Sequence, residues 1–108
     1  MEGAIRAIAE PTRREILRLV WDSELPAGEI ASHFSVTRPA VSQHLRVLKD
    51  AGLLEERRRG TMRLYRARPE GLAELRDYLE VFWGERLATL KREAEREERR
   101  RGRGPARA

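Results

Sequence analysis

A chain of 108 residues has the length of one domain, and with 40% hydrophobic and 38% charged residues it can build only a thin core, which points to a second copy to share it. It has no Cys and two His, which excludes disulfides, thiol nucleophiles and metal cages built from Cys or His. The formal net charge of +5 is spread unevenly: residues 1–36 carry four Arg against six acids, residues 37–68 eight Arg and one Lys against three, residues 69–90 two Arg against five, and residues 91–108 eight basic against four acidic residues.

The middle third is therefore a basic island between mildly acidic regions. Such an island is expected of a polyanion-binding face, and equally of a solvated surface. No apolar run approaches the ~18 residues of a membrane span, and the first residues lack the apolar stretch of a signal peptide. A soluble, cytoplasmic protein without a membrane partner is expected.

Ile5 and Ile8 predict a short opening helix. Pro11 then serves as a first-turn proline for a second helix, from Thr12 to about Ser23, whose largely buried residues are Ile16, Leu17, Leu19, Val20 and Trp21. Leu25-Pro26 restarts the chain, and Pro26 opens a short third helix with Ile30, Ala31 and Phe34 turned inward. Ser35 and Val36 break it. Thr37 is a good N-cap for a fourth helix, and Pro39 sits in the first turn, where its missing N–H costs little. Val41, Leu45 and Leu48 form its buried stripe, and the helix ends at Ala51 with Gly52 in the left-handed position that follows.

Residues 53–58 and 61–67 flank Arg59-Gly60 and predict a β-hairpin. In its second run Met62, Leu64 and Arg66 alternate with Arg63, Tyr65 and Ala67. Pro69 starts a final helix whose Leu72, Leu75, Leu79, Phe82, Trp83, Leu87 and Leu90 recur every three or four residues. That stripe is longer than a small domain's own core needs. Lys91–Glu95, Glu95–Arg99 and Glu97–Arg101 pairs extend the helix modestly, and Gly102 and the residues after it end it. The expected fold is mainly α with a small β-hairpin, a winged helix-turn-helix in the order α-α-α-α-β-β-α. One domain covers 1–99, and 100–108 form a disordered basic tail.

A short helix, a tight turn and a second, Thr-capped helix describe a helix-turn-helix, whose second helix enters the major groove of DNA. With Val41 at zero on a wheel of about 100 degrees per residue, Leu45 and Leu48 fall within about 40 degrees of it. Pro39, Ser42, Gln43 and Arg46 fall on the far side, and none is a large apolar residue. Gln can pair with adenine, Arg with guanine, and Ser with bases or phosphate. An ordinary amphipathic helix would also have a polar outer face. Arg57, Arg58, Arg59, Arg63 and Arg66, however, cluster on the hairpin directly afterwards, the position of a wing that reaches phosphates or the minor groove.

In order along the chain, Ala9 to Leu17 (AEPTRREIL), Ala27 to Ala31 (AGEIA), Thr37 to Leu48 (TRPAVSQHLRVL) and Ala51 to Leu54 (AGLL) resemble the ArsR/SmtB family of bacterial repressors. The resemblance spans residues 4 to about 90. It implies a winged-helix homodimer that binds double-stranded DNA at a near-palindromic operator, usually to repress. It also implies that Arg38, Ser42, Gln43, His44 and Arg46, with the capping Thr37 and Pro39 beside them, lie in or next to the recognition face, and that Arg59 and Arg63 lie in the wing. The first and last helices form the family's dimer interface, here Ile5, Ile8, Leu75, Leu79, Phe82, Trp83, Leu87 and Leu90. His44 lies nearer the buried side of the wheel than Gln43, which favours packing or a phosphate contact over base reading. His33 reads as structural.

Many members of the family sense metals. Where the resemblance places two metal-binding Cys, this chain has Pro26 and Gly28, and residues 69–108 contain no His. No metal and no cofactor are expected. Two other classes compete with a sequence-specific repressor. A non-specific architectural binder would use the same basic island without reading bases, and an interaction module would dock a partner on the last helix. An enzyme has no support: there is no Gly-rich phosphate loop, and no acid is placed to orient a His.

Overall fold

Side-chain caps fix where the second and fourth helices begin. The computed structural model describes residues 1–102. They form α1 (Glu2–Ala9), α2 (Pro11–Leu19), β1 (Leu25–Pro26), α3 (Ala27–Ser32), α4 (Arg38–Asp50), β2 (Leu54–Arg59), β3 (Met62–Ala67) and α5 (Pro69–Gly102). Glu10 caps α2, its carboxylate accepting the Arg13 amide at 2.9 Å, and Pro11 occupies the first turn. Thr37 caps α4 as expected, its hydroxyl accepting the Ala40 amide at 3.3 Å. At the other end of α4, Ala51 closes the helix and Gly52 takes φ +78°.

Two expectations from the sequence are corrected. The second helix stops at Leu19 instead of running to Ser23, and Trp21 is 53% exposed instead of buried. The reason is tertiary: the Val20 carbonyl accepts the Ala67 amide at 3.0 Å, drawing the chain out of the helix toward the sheet. Pro26 opens the third helix as expected, but Leu25-Pro26 has a further role. It is a two-residue edge strand, with Leu25 opposite Tyr65 and Pro26 opposite Leu64, and Pro26 then caps α3. A proline has no N–H to offer a ladder, so an edge is where it is tolerated. The hairpin with its turn at Gly60–Thr61 thereby becomes a three-stranded antiparallel sheet in the order β1-β3-β2.

Because β3 is central, Leu64 and Tyr65 are both buried although they point to opposite faces, and Ala67 is buried as well. Met62, expected to share the apolar side of Leu64, is exposed, since it pairs with Arg59 at the far end of the hairpin. The core gathers Ile16, Val20, Ile30, Val41, Leu45, Leu48, Leu53 and Leu54 from the helices and the start of the hairpin.

The chain divides into two compact units, Met1–Leu75 and the residues from Arg76 onward. In the first, α5 begins pressed against the end of α4. The Arg68 amide donates to the Leu53 carbonyl at 2.9 Å, and the Arg68 guanidinium reaches the Gly52 carbonyl at 3.4 Å. Gly71 lies so close that a Cβ there would overlap the same Gly52 carbonyl. Leu75 closes this unit and is buried within it.

In the second unit Val81, Phe82, Trp83, Leu87 and Leu90 are all exposed. Tyr78 stacks on Phe82 with centroids 6.1 Å apart, and Phe82 meets Trp83 edge-on at 5.1 Å. The helix runs to Gly102, so residues 100–102, expected as disordered tail, are helical. Glu97 pairs with both Arg100 and Arg101, which carries the helix through them. The rest of the expected tail, 103–108, lies outside the described residues.

The Gly71–Gly52 approach gives a direct test. Gly71→Ala is expected to destabilise the chain by about 1–3 kcal/mol, because backbone atoms must move apart to admit the methyl group. Urea unfolding of the two proteins measures it.

Candidate nucleic-acid interface

Three apolar residues fix which side of α4 faces out. Val41, Leu45 and Leu48 are each 1% exposed or less. Arg38, Pro39, Ser42, Gln43 and Arg46 are exposed. Between this face and the sheet runs an open groove of about 470 Å³, lined by Ala27 of α3, by Pro39, Ser42, Gln43, Arg46, Lys49 and Asp50 of α4 and by Glu56, Arg63 and Tyr65 of the hairpin. The structure thus brings Pro39, Ser42, Gln43, Arg46 and Arg63 to one groove. Arg38 stands at its start with its guanidinium over Gly28 of α3, where a Cβ would lie 3.3 Å from Nη2. The oxygen of Thr37 is already engaged as the cap. Arg59 is exposed at the far end of β2 and does not line the groove.

His44 is not brought to this face. It is half-buried on the side turned to α2, with Nδ1 3.3 Å from Arg13 Nη1 and 3.9 Å from Glu10 Oε2. Arg13 also donates from Nε to the Ala7 carbonyl at 2.7 Å and from Nη2 to the Arg6 carbonyl at 3.2 Å. One guanidinium therefore ties the end of α1, the start of α2 and the inner flank of α4. Sequence reasoning missed Arg13 as a positioning residue. Its place three residues after a capping Glu is visible, but its partner His44 lies 31 residues away.

It also missed two acids that organise the basic side chains. Glu24 grips Arg57 through a fork, Nε to Oε2 at 2.9 Å and Nη2 to Oε1. Glu56 accepts Lys49 Nζ at 3.0 Å and lies 3.7 Å from Arg63 Nε. Counting every hairpin Arg as free to meet a polyanion thus overstates the available charge. The Arg57 hydrogen bond holds the Glu24 carboxyl below its usual range, and the Lys49 hydrogen bond does the same for Glu56. At Glu10 burial pushes the other way, but the Arg13 and Thr12 amides and the nearby His44 together outweigh it, and this carboxyl too is lowered.

A short helix, a turn, a capped helix with a polar outer face and a basic hairpin beside it define a winged helix-turn-helix protein. Residues 10–56 match the family described as bacterial regulatory protein, arsR family. The chain is 48% identical over 82 residues to the HTH-type transcriptional regulator Rv2034 of Mycobacterium tuberculosis, covering 76% of this chain and 77% of that one. It is 40% identical over 65 residues to the transcriptional repressor SdpR of Bacillus subtilis, covering 60% and 72%. Among solved structures, a possible transcriptional regulator for arsenical resistance superposes with a TM-score of 0.75 at 41% identity, covering 86% of this chain and 96% of that one. The homodimeric winged helix-turn-helix DNA-binding domain Mb0332 of Mycobacterium bovis superposes with a TM-score of 0.63 at 32% identity, covering 78% of each. The chain belongs to the arsR family and is a transcriptional regulator.

Among the described residues no group of three or more His, Asp or Glu could hold a metal ion, and no helix is long and apolar enough to cross a membrane.

Two outcomes follow from the side-chain geometry. Arg13→Ala removes three contacts from one charged group, and a loss of about 1–3 kcal/mol in unfolding free energy is expected, with Arg13→Lys recovering only part of it. Glu10, Glu24 and Glu56 titrate below 4.5 in the folded state, so there the folded chain binds fewer protons than the unfolded one. Their contribution is present above that value and is lost as pH falls through the folded-state values. Thermal midpoints recorded between about pH 6 and about pH 3 should fall, and fall less steeply for Glu10→Gln.

Proposed function

We propose that this chain is a cytoplasmic, sequence-specific repressor that binds double-stranded DNA as a homodimer at a near-palindromic operator and needs no metal to do so. The observation that carries this reading is the exposed set Ser42, Gln43 and Arg46 on one face of α4, with Arg63 across the groove. Gln43 can meet adenine with two hydrogen bonds, Arg46 guanine with two, and Ser42 either a base or a phosphate. Arg38, Arg63 and Arg59 at the hairpin end would hold the backbone on either side. Thr37 and Pro39 set the angle at which the helix enters. His44, turned toward Arg13 and Glu10, fixes the helix from behind.

Repression and dimerisation draw support from the relatives. SdpR is a transcriptional repressor, and the Mycobacterium bovis domain is homodimeric. The α5 stripe supports the dimer independently. Phe82, Trp83, Leu87 and Leu90 are about half exposed or more in the single chain, an apolar surface of the kind that a second copy covers. Leu79, Ile5 and Ile8 are half-buried and can add to such an interface, whereas Leu75 is already buried in its own unit. Metal independence rests on Pro26, the cap of α3, and Gly28 in its first turn, since neither side chain offers a ligand.

Selection from randomised duplex DNA at near-physiological salt tests the proposal. The expected result is enrichment of one inverted repeat with half-sites about 10 base pairs apart or a multiple of that, and binding unaffected by a chelator. Gln43→Ala should lower discrimination at one position of each half-site by about 1–3 kcal/mol while leaving affinity for random duplex unchanged. Measurable binding with no enriched sequence would mean that the groove holds only phosphates.

A further inference from the structure

The groove beside α4 contains two acids, Asp50 and Glu56, that work against its apparent use; Asp50 is exposed and makes no ion pair among the described residues, whereas Glu56 is paired. Glu56 places its carboxylate between cations of the groove lining, which include Arg46, Lys49 and Arg63. Its side chain is only 15% exposed, while Lys49 and Arg63, which pair with it from two different elements, are 50% and 55% exposed. Its neighbour Glu55 is exposed and lies outside the groove. Lys49 stands three residues beyond Arg46, so it continues the outward face of α4. A cation there would be expected to meet phosphate, yet its ammonium donates to Glu56 at 3.0 Å. That hydrogen bond lowers the Glu56 carboxyl below its usual range.

We propose that Glu56 is a specificity-determining residue, a built-in counter-ion that withholds Lys49 and Arg63 from indiscriminate phosphate contact. The inference rests on the reading above that this face binds duplex DNA. Non-specific binding is almost wholly phosphate electrostatics, whereas a specific complex adds base contacts that fix the duplex in register. On random sequence nothing fixes the register, and any free cation settles on whichever phosphate it can reach. Tying two cations to one carboxylate therefore weakens random binding more than specific binding. The gap between the two is what lets a regulator find one site among many.

The test uses the full chain and two probes, the inverted repeat obtained by selection and a duplex of random sequence, each titrated over a range of salt. Glu56→Gln is expected to steepen the dependence of log K on log salt for random duplex by about 1–2 units and to raise that affinity about tenfold. Affinity for the repeat should rise less, on the order of threefold or below, so the specificity ratio falls. Two controls isolate the cause. Glu2→Gln makes the same change in net charge on α1 and should leave the slope as it is. Adding Lys49→Gln to Glu56→Gln should remove most of the gain.

An unchanged slope for Glu56→Gln on random duplex overturns the proposal. So does weaker binding to both duplexes, which would mean that Glu56 aims the cations at phosphate instead of withholding them. Thermal melting checks the fold of the variant. Should Glu56→Gln not fold, Glu56→Asp keeps the charge while drawing the carboxylate back from Lys49. Tighter random binding by that variant supports the proposal, and its absence sinks it. If the wild type prefers no sequence, the repressor reading fails, while the slope on random duplex still decides the role of Glu56.

Discussion

Burial of Val41, Leu45 and Leu48 is the constraint on which the exposed surface depends. Each of these side chains is worth about 1.5–3 kcal/mol on leaving water, and together they are comparable with the whole stability of a small domain, about 5–15 kcal/mol. Turning α4 about its axis by even one residue would bring one of them out. The orientation of Ser42, Gln43 and Arg46 is thus set by what the opposite side of the helix must hide. Capping fixes the remaining freedom. Thr37 sets where the first turn starts, and Gly52 lets the chain reverse immediately into β2. Helix and hairpin are left a few residues apart, and a groove forms between them.

The acids matter as much as the basic residues in shaping this surface. Glu10 begins α2 and keeps company with Arg13 and His44, Glu24 anchors Arg57 from the loop before β1, and Glu56 joins the end of α4 to β3. Exposed ion pairs contribute little to stability, so their value here is positional. Glu24 and Glu56 hold the hairpin from its two sides. A wing that swung freely would present the same charge but would lose the fixed separation from α4 that a duplex of given groove width requires.

Features set by neighbours in sequence were legible without the structure. The Thr37 cap, the first-turn Pro11 and Pro39, the Gly52 terminator and the Val41–Leu45–Leu48 stripe each follow from contacts within four residues. What was illegible came from partners far along the chain. Two residues, Leu25 and Pro26, have no period by which to show a strand, and only Leu64 and Tyr65 opposite them make one. Trp21 looked buried because a helix continuing past Val20 would have turned it inward, and one amide, that of Ala67, ends that helix. The wheel already moved His44 toward the buried side, but nothing local names Arg13 as its neighbour. Gly71 carried no signal at all, since its need is the Gly52 carbonyl across the start of α5.

Within the basic island a formal charge is not an available charge. Within residues 37–68, Arg57 is held by Glu24, Lys49 and Arg63 share Glu56, and Arg68 turns to the end of α4. Arg38, Arg46, Arg58, Arg59 and Arg66 make no ion pair among the described residues. Two of these five are on α4 and three on the hairpin. They are therefore split between the element suited to reading bases and the element suited to gripping a backbone. Of the paired cations, Lys49 and Arg63 line the groove between α4 and the hairpin. The groove itself therefore holds both kinds of cation, the unpaired Arg46 and the Glu56-bound Lys49 and Arg63, so the net attraction it exerts is smaller than its count of basic residues.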